Sequence, residues 1–175
     1  MMIQERRIFA GTVVKVHGLR GDVKVHLPSE REALLRYGQR FMLYRDDALI
    51  ESRSVKRVVP CGGGCLVRFE DITEVAAASR LVGCEIWISP GDLSFPAGED
   101  EHPAALVGMS VRDARLGEIG VVEDFFATAA HGILVVQGEY GEVLLPNVPG
   151  FKKMVDWKER RLLVELPEGL VDNGR

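Results

Sequence analysis

Short apolar stretches separated by glycine and aspartate dominate this sequence and limit the folds that it can adopt. They are rich in β-branched and aromatic residues, a pattern typical of short β-strands joined by tight turns. The stretches cover residues 8–16, 23–27, 40–45, 49–59, 65–72, 85–89, 106–111, 118–126, 132–137, 142–146 and 161–167. This pattern predicts a mostly β protein in which the first two strands form a hairpin and residues 40–72 form a meander.

Two short helices are expected between these strands. Ser29 followed by Glu32 matches a capping box and predicts a helix over residues 30–36. Thr73 is positioned to cap a second helix over residues 74–82, which Gly83 would terminate.

Residues 90–105 form the least strand-like stretch of the chain. They concentrate proline, glycine and acidic side chains without either hydrophobic period, which is the composition of a linker. We therefore predict a first domain over residues 1–90, a linker over 91–105 and a second domain over 106–170.

Composition excludes several classes of protein. With 46% hydrophobic and 27% charged residues the chain can form a packed core. It lacks the roughly 18 uninterrupted apolar residues of a membrane span, and a cytoplasmic protein is expected. Three cysteines are an odd number, so Cys61, Cys65 and Cys84 are expected to be free thiols.

The net charge of −4 is unevenly distributed along the chain. Residues 1–90 carry 14 Lys and Arg against 11 Asp and Glu, whereas residues 91–175 carry 8 against 15. The two halves therefore face different partners, or different parts of one partner.

No pattern of catalytic or metal-binding residues is visible. Cys61 and Cys65 flank three glycines, but zinc sites usually use paired cysteines with two-residue spacers, so a glycine turn is favoured over a metal site. The four histidines have no metal-binding spacing, and no serine lies in a nucleophile motif. We expect no enzyme activity, no metal and no cofactor.

The turn His17-Gly18-Leu19-Arg20-Gly21-Asp22 is the strongest candidate for a binding site. A tight turn needs about one glycine, whereas this one also projects His17, Arg20 and the nearby Lys24 from rigid strands. These groups could bind phosphate or an acidic protein surface. The alternative is a hairpin whose glycines supply positive φ and whose charges are only solvated.

Four segments together resemble the RimM family of bacterial ribosome maturation factors. They are GTVVKVHGLRGDVKVHL at 11–27, LVGCEIWI at 81–88, LVGMSVRDARLGEIGVVED at 106–124, and ILVVQGEYGEVLLPNV leading into VDWKERRLLVELPEGL. Their order, their spacing and the total length agree with the family. The HGLRG turn is the most specific element, and the second half resembles a PRC-barrel domain.

The resemblance implies a translation-like six-stranded β-barrel followed by a PRC barrel. It also implies a non-catalytic assembly factor that binds the free small ribosomal subunit and acts on head assembly and 16S rRNA processing. We expect the chain itself to be a monomer. The implied partner is the small-subunit head protein numbered nineteen, which is basic, with 16S rRNA as a further contact. The candidate ribosome-binding residues are then His17, Gly18, Leu19, Arg20, Gly21 and Lys24.

The chain departs from the family at two places. Family members commonly carry tandem aromatic residues before the second domain, whereas Glu101, His102 and Pro103 stand there. An Asn-Asp pair often precedes the strand that begins near Ile133, where this chain has His131 and Gly132. No side-chain role is carried over to either place.

Two other functions remain open from the sequence. A stand-alone PRC-barrel protein could regulate another complex, such as a membrane or photosynthetic assembly, although the HGLRG turn argues against it. A sequence-specific RNA binder would need aromatic residues in a stacking motif, and the chain has 7% aromatics without such a motif.

Overall fold

Two compact units make up the computed structural model, which describes residues 6–28, 31–95 and 102–171. The units are Met1–Phe95 and Pro96–Arg175, and each contains its own β-sheet and its own buried core. The mostly β, two-domain fold class predicted from the sequence is confirmed.

The first unit contains one antiparallel sheet of seven strands, with the order β4-β3-β7-β1-β2-β6-β5. Its strands are β1 Ile8–His17, β2 Asp22–His26, β3 Phe41–Arg45, β4 Ala48–Arg53, β5 Val55–Cys61, β6 Gly64–Phe69 and β7 Glu85–Ile88. The predicted β1–β2 hairpin is confirmed by pairing from Thr12 with His26 to His17 with Asp22. Alternate residues point inward, so Val13, Val23, Val25 and Val67 are fully buried.

The meander predicted for residues 40–72 is confirmed only in its two hairpins, β3 with β4 and β5 with β6. It is wrong in its middle, because β3 pairs on its other side with β7 and β6 pairs on its other side with β2. The stretch predicted as one strand at 49–59 is interrupted at Ser54 into β4 and β5, which lie at opposite ends of the strand order. This interruption gives seven strands where the resemblance implied six.

The helices of the first unit are shorter than predicted. α1 covers Glu32–Tyr37 and buries Leu34 and Leu35, while the capping role predicted for Ser29 lies outside the described residues. α2 covers only Val75–Ser79. Its N-cap residue is Glu74, without a side-chain capping bond, so the capping role predicted for Thr73 is wrong.

The second unit contains one sheet of six strands, with the order β11-β10-β9-β8-β13-β12. It begins with the single-turn helix α3, Pro103–Leu106. The strands are β8 Ser110–Asp113, β9 Gly117–Ala127, β10 Gly132–Gly138, β11 Gly141–Pro146, β12 Lys152–Asp156 and β13 Arg161–Val164. β13 pairs in parallel with β8, so the last strand of the unit lies beside the first. The sequence analysis missed β12.

Asp113 stabilises the junction between β8 and the end of the chain. Its carboxylate is 1% exposed and accepts backbone N–H bonds of 2.8, 2.9 and 2.8 Å from Arg115, Leu116 and Leu166. Burial acts to raise the pKa of Asp113, but the three N–H donors and the nearby Arg115 outweigh burial and lower that pKa below its usual value. The negative charge of Asp113 is therefore occupied by hydrogen bonds within the second unit.

The predicted linker at 91–105 stays a prediction, because residues 96–101 lie outside the described part of the chain. On its N-terminal side, residues 90–95 belong to the first unit: Pro90–Asp92 form a 3₁₀ turn, and Ser94 N donates to Tyr37 O at 3.0 Å. In the described segments, no helix has the length and apolar character that crossing a membrane requires.

Candidate functional site

The turn between β1 and β2 has a shape that its glycines make possible. Gly18 and Gly21 have φ values of +67° and +85°, in the left-handed region that side chains with a Cβ rarely adopt. Gly21 is also buried, and a Cβ at this position would lie 2.5 Å from the carbonyl oxygen of Ile72. The turn is therefore held against the segment that follows β6.

This turn exposes an apolar side chain beside a cation. Leu19 is 85% exposed, the largest exposed fraction among the large hydrophobic residues that the structure describes. Arg20 and His17 are exposed beside it, and the structure shows no hydrogen bond from either side chain to another described residue. An exposed leucine at the tip of a rigid hairpin contributes nothing to the core, so this arrangement is suited to contact with a partner.

The foot of the turn is held by an ion pair that the sequence analysis missed. Arg68 on β6 donates from Nε to Asp22 Oδ1 at 2.8 Å and from a terminal nitrogen to Oδ2 at 2.6 Å. The two side chains are only 20% and 21% exposed, and a two-bond pair of this kind fixes orientation as well as adding stability. No sequence motif signals this contact, because 46 positions separate the partners.

Lys24 has a different position from the other candidate residues. Its Nζ donates to the carbonyl oxygen of Gly62 at 2.9 Å, in the turn between β5 and β6. His26 makes a similar contact, with 3.3 Å between its Nδ1 and the carbonyl oxygen of Gly63. The structure thus brings His17, Gly18, Leu19, Arg20 and Gly21 together in one turn and directs Lys24 toward another.

The Cys61–Cys65 segment forms the β5–β6 turn. All three cysteines are free thiols, with Cys65 and Cys84 buried and Cys61 half-buried. Burial, followed by the nearby charge of Glu32, raises the pKa of Cys65 from 9.0 to about 11. Among the described residues, no three His, Cys, Asp or Glu side chains are grouped so that they could hold a metal ion.

His102 occupies the region where the family commonly has tandem aromatic residues. Its Nδ1 accepts a 3.1 Å hydrogen bond from Ala104 N at the start of α3, and its ring packs edge-on against Phe125 at 5.7 Å between centroids. Glu101 lies outside the described residues. His102 is therefore held by contacts within its own unit.

Two exposed apolar residues of the second unit lie on one face of β9, β10 and β11, whereas Met154 on β12 and Trp157 in the turn after it are exposed elsewhere. Phe126 is 40% exposed and pairs across the sheet with Ile133, while Leu144, 45% exposed, pairs with Val135. Asp124 and Glu142 lie opposite residues of β10 on the same face. This face combines apolar and acidic character, unlike the exposed hairpin of the first unit.

Comparison with known proteins assigns a family to both halves. The model of the RimM N-terminal domain matches residues 8–93, and the model of the RimM PRC barrel domain matches residues 103–170. A ribosome maturation factor RimM from Syntrophotalea carbinolica is 37% identical over 169 residues, covering 96% of each chain. One from Pelobacter propionicus is 30% identical and covers 98% of this chain and 99% of its own.

Among solved structures, a protein from Pseudomonas aeruginosa described as a 16S ribosomal RNA processing protein RimM covers 92% of this chain, with 24% identity and a TM-score of 0.47. The assignment rests on the sequence matches instead. Both domain models match in the expected order, and the relatives are matched almost from end to end. The chain therefore belongs to the RimM family.

Proposed function

We propose that this protein is a non-catalytic assembly factor that binds the free small ribosomal subunit and promotes maturation of its head, including 16S rRNA processing. Its relatives of 37% and 30% identity are named ribosome maturation factors, which supports a role in ribosome maturation. The contact that we propose within the subunit is the basic head protein numbered nineteen.

The β1–β2 turn is the observation that carries this proposal. Leu19 and Arg20 stand on a hairpin whose shape is fixed by Gly21 and by the Asp22–Arg68 pair, yet neither side chain contributes to the core. Rigid presentation of an apolar and a cationic group lowers the entropy lost on binding. The turn is thus suited to insertion into a surface of the subunit.

Charge supports the proposed protein partner. Residues 96–175, the second unit, carry 14 acidic against 8 basic side chains, so this unit repels polyanions and attracts a basic protein. Opposite potentials accelerate encounter and orient the partners before contact. The second unit is accordingly the part that we expect to meet the head protein.

Co-sedimentation of the purified chain with small subunits, full ribosomes and naked 16S rRNA tests the proposal. We expect binding to small subunits, none to full ribosomes, and weaker binding to naked rRNA. Depletion in cells should leave precursor 16S rRNA and excess free small subunits. Normal rRNA ends after full depletion, or equal binding to full ribosomes, would contradict the proposal.

A stand-alone PRC-barrel regulator is the second candidate from the sequence. That function treats the first domain as an unrelated module, whereas the RimM N-terminal model matches residues 8–93 of this chain. In the co-sedimentation experiment it predicts no preference for small subunits. The family match to both halves favours the assembly factor.

A further inference from the structure

We propose that the outer face of strands β1, β2, β6 and β5 binds the phosphate backbone of RNA, a proposal that rests on the proposed function and deepens it. The face lies opposite the buried side chains of Val13, Val23, Val25 and Val67. We call it the basic face; its charged and histidine side chains are His17, Lys15, Lys24, His26, Arg68, Arg57 and Asp22.

Strand register puts these residues in neighbouring rows. Lys15 lies directly opposite Lys24, and Val23 pairs with Val67, which places Asp22 beside Arg68. Arg68 in turn lies opposite Arg57 on β5. Cations therefore extend across all four strands and form a broad surface.

Asp22 is the one carboxylate at the described paired positions of this face, and its charge is already matched. Both of its oxygens accept hydrogen bonds from Arg68. Lys15 and Arg57 are exposed, and no ion pair between described residues includes either of them or Lys24. Lys24 gives one of its three N–H donors to Gly62, which leaves two for a ligand. The face thus keeps an excess of positive charge.

The arrangement opposes stability when no ligand is bound. Like charges directly opposite each other on neighbouring strands repel, and Lys15 and Lys24 form such a pair. Arg57 lies opposite Arg68, whose charge is matched by Asp22. An anion bound between Lys15 and Lys24 would remove the repulsion, so this pair is better explained by an anionic ligand than by a structural role.

The chemistry of the face favours a nucleic-acid backbone. A polyanion with regularly spaced phosphates can engage cations on four strands at once and release its counterions. Sheet surfaces that bind bases use exposed aromatic rings, whereas Leu66 and Val59 lie between the cations here. Contact with phosphates, largely independent of base sequence, follows from this composition.

RNA binding by the full-length chain, measured by fluorescence anisotropy over a range of salt concentrations, tests the inference. The probes are a fragment of 16S rRNA, a scrambled RNA of the same length and polyglutamate. The variant is Lys15→Gln with Arg57→Gln. The control is Lys158→Gln with Arg161→Gln, two exposed cations of the second unit that leave the same net charge.

We expect the basic-face variant to lose RNA affinity on the order of tenfold, equally for both RNAs, with a salt slope reduced by about 0.7 for each removed cation. Its melting temperature should be unchanged or raised, because like-charge repulsion is removed. The control should bind RNA as the unmodified chain does.

Three results would overturn the inference. They are unchanged affinity and salt slope in the basic-face variant, an equal loss in the control, and binding of polyglutamate as tightly as RNA, which would indicate an acidic protein partner. Small-subunit binding measured in parallel separates the two proposals. A chain that binds subunits but not RNA refutes the basic face alone, whereas a chain that binds neither refutes the proposed function as well.

Discussion

The first unit has two glycine-rich turns that differ in what they present to solvent. The β1–β2 turn exposes Leu19 and Arg20, while the β5–β6 turn has only Gly62 and Gly63 at its tip. The second turn uses its carbonyl oxygens instead, accepting a bond from Lys24 and contacting His26. One turn projects side chains, and the other holds the side chains of a neighbouring strand.

This difference shows that glycine content does not by itself mark a functional turn. In both turns a glycine lies where a neighbouring backbone leaves no room for a Cβ: Gly21 against Ile72, and Gly64 against Val25. Structural need therefore explains at least one glycine in each turn. The functional information is in the side chains between them, which only the β1–β2 turn has.

The largest effect on stability should come from adding a Cβ at Gly21 or Gly64. Gly21→Ala should destabilise the first unit by about 2–5 kcal/mol, because positive φ and the contact with Ile72 O both oppose a Cβ. Gly64→Ala should cost about 1–3 kcal/mol through its contact with Val25 O alone. Denaturant unfolding measures both values. Gly62→Ala, which meets no atom within 4 Å, is the control and should be neutral.

The two turns should differ in what they contribute to small-subunit binding. Leu19→Ser with Arg20→Ala should weaken small-subunit binding on the order of tenfold, since arginine is enriched among the residues that dominate binding and the exposed apolar contact of Leu19 is lost with it. The melting temperature should change little, because both side chains are exposed. Gly62→Ser in the other turn should alter neither quantity. Equal subunit binding by the Leu19/Arg20 variant and the unmodified chain would place the binding surface elsewhere.

The thiol of Cys65, beside the β5–β6 turn, should make the free energy of unfolding depend on pH. Because the pKa of Cys65 is raised from 9.0 to about 11, the unfolded chain loses this proton at a lower pH than the folded chain. The contribution of Cys65 to stability is therefore complete below about pH 9 and decreases as the pH rises toward 11. Unfolding of the unmodified chain and of Cys65→Ala, compared across this range, should reveal the slope only in the former.

The smallest expected effect is a difference in stability between variants of Lys24 and Arg20. Lys24→Ala removes the hydrogen bond to Gly62 O and should cost about 0.5–1 kcal/mol, whereas Arg20→Ala should cost nothing measurable. Both single variants should weaken subunit binding at low salt. An identical thermal midpoint for Lys24→Ala and the unmodified chain would show that the bond to Gly62 contributes no more stability than the repulsion from Lys15 takes away.

Local signals in the sequence identified most of the strands but not their order. The β1–β2 hairpin was predictable because its glycines and alternating residues lie within one short segment. The position of β7 between β1 and β3 was not, because pairing between distant strands leaves no local pattern. β12 was missed because Lys152 and Lys153 interrupt its apolar pattern, and its strand conformation depends on pairing with β13.

The candidate site was likewise predictable only where its residues are close together in the sequence. Spacing alone identified the HGLRG turn, because glycine and exposed charge within six residues form a local signal. The direction of Lys24 and the Asp22–Arg68 pair depend on β6, whose place beside β2 was not predicted. The wider basic face was missed for the same reason, since its rows are formed by four strands from separate parts of the chain.

The parallel pairing of β13 with β8 has a consequence during synthesis on the ribosome. β13 lies between β8 and β12, so the sheet of the second unit cannot be completed until residues 161–164 have left the exit tunnel. The first unit needs nothing beyond Ile88 to complete its own sheet. A nascent chain can therefore complete the sheet that carries the basic face before residues 161–164 have emerged, whereas the sheet of the second unit is completed only after they have.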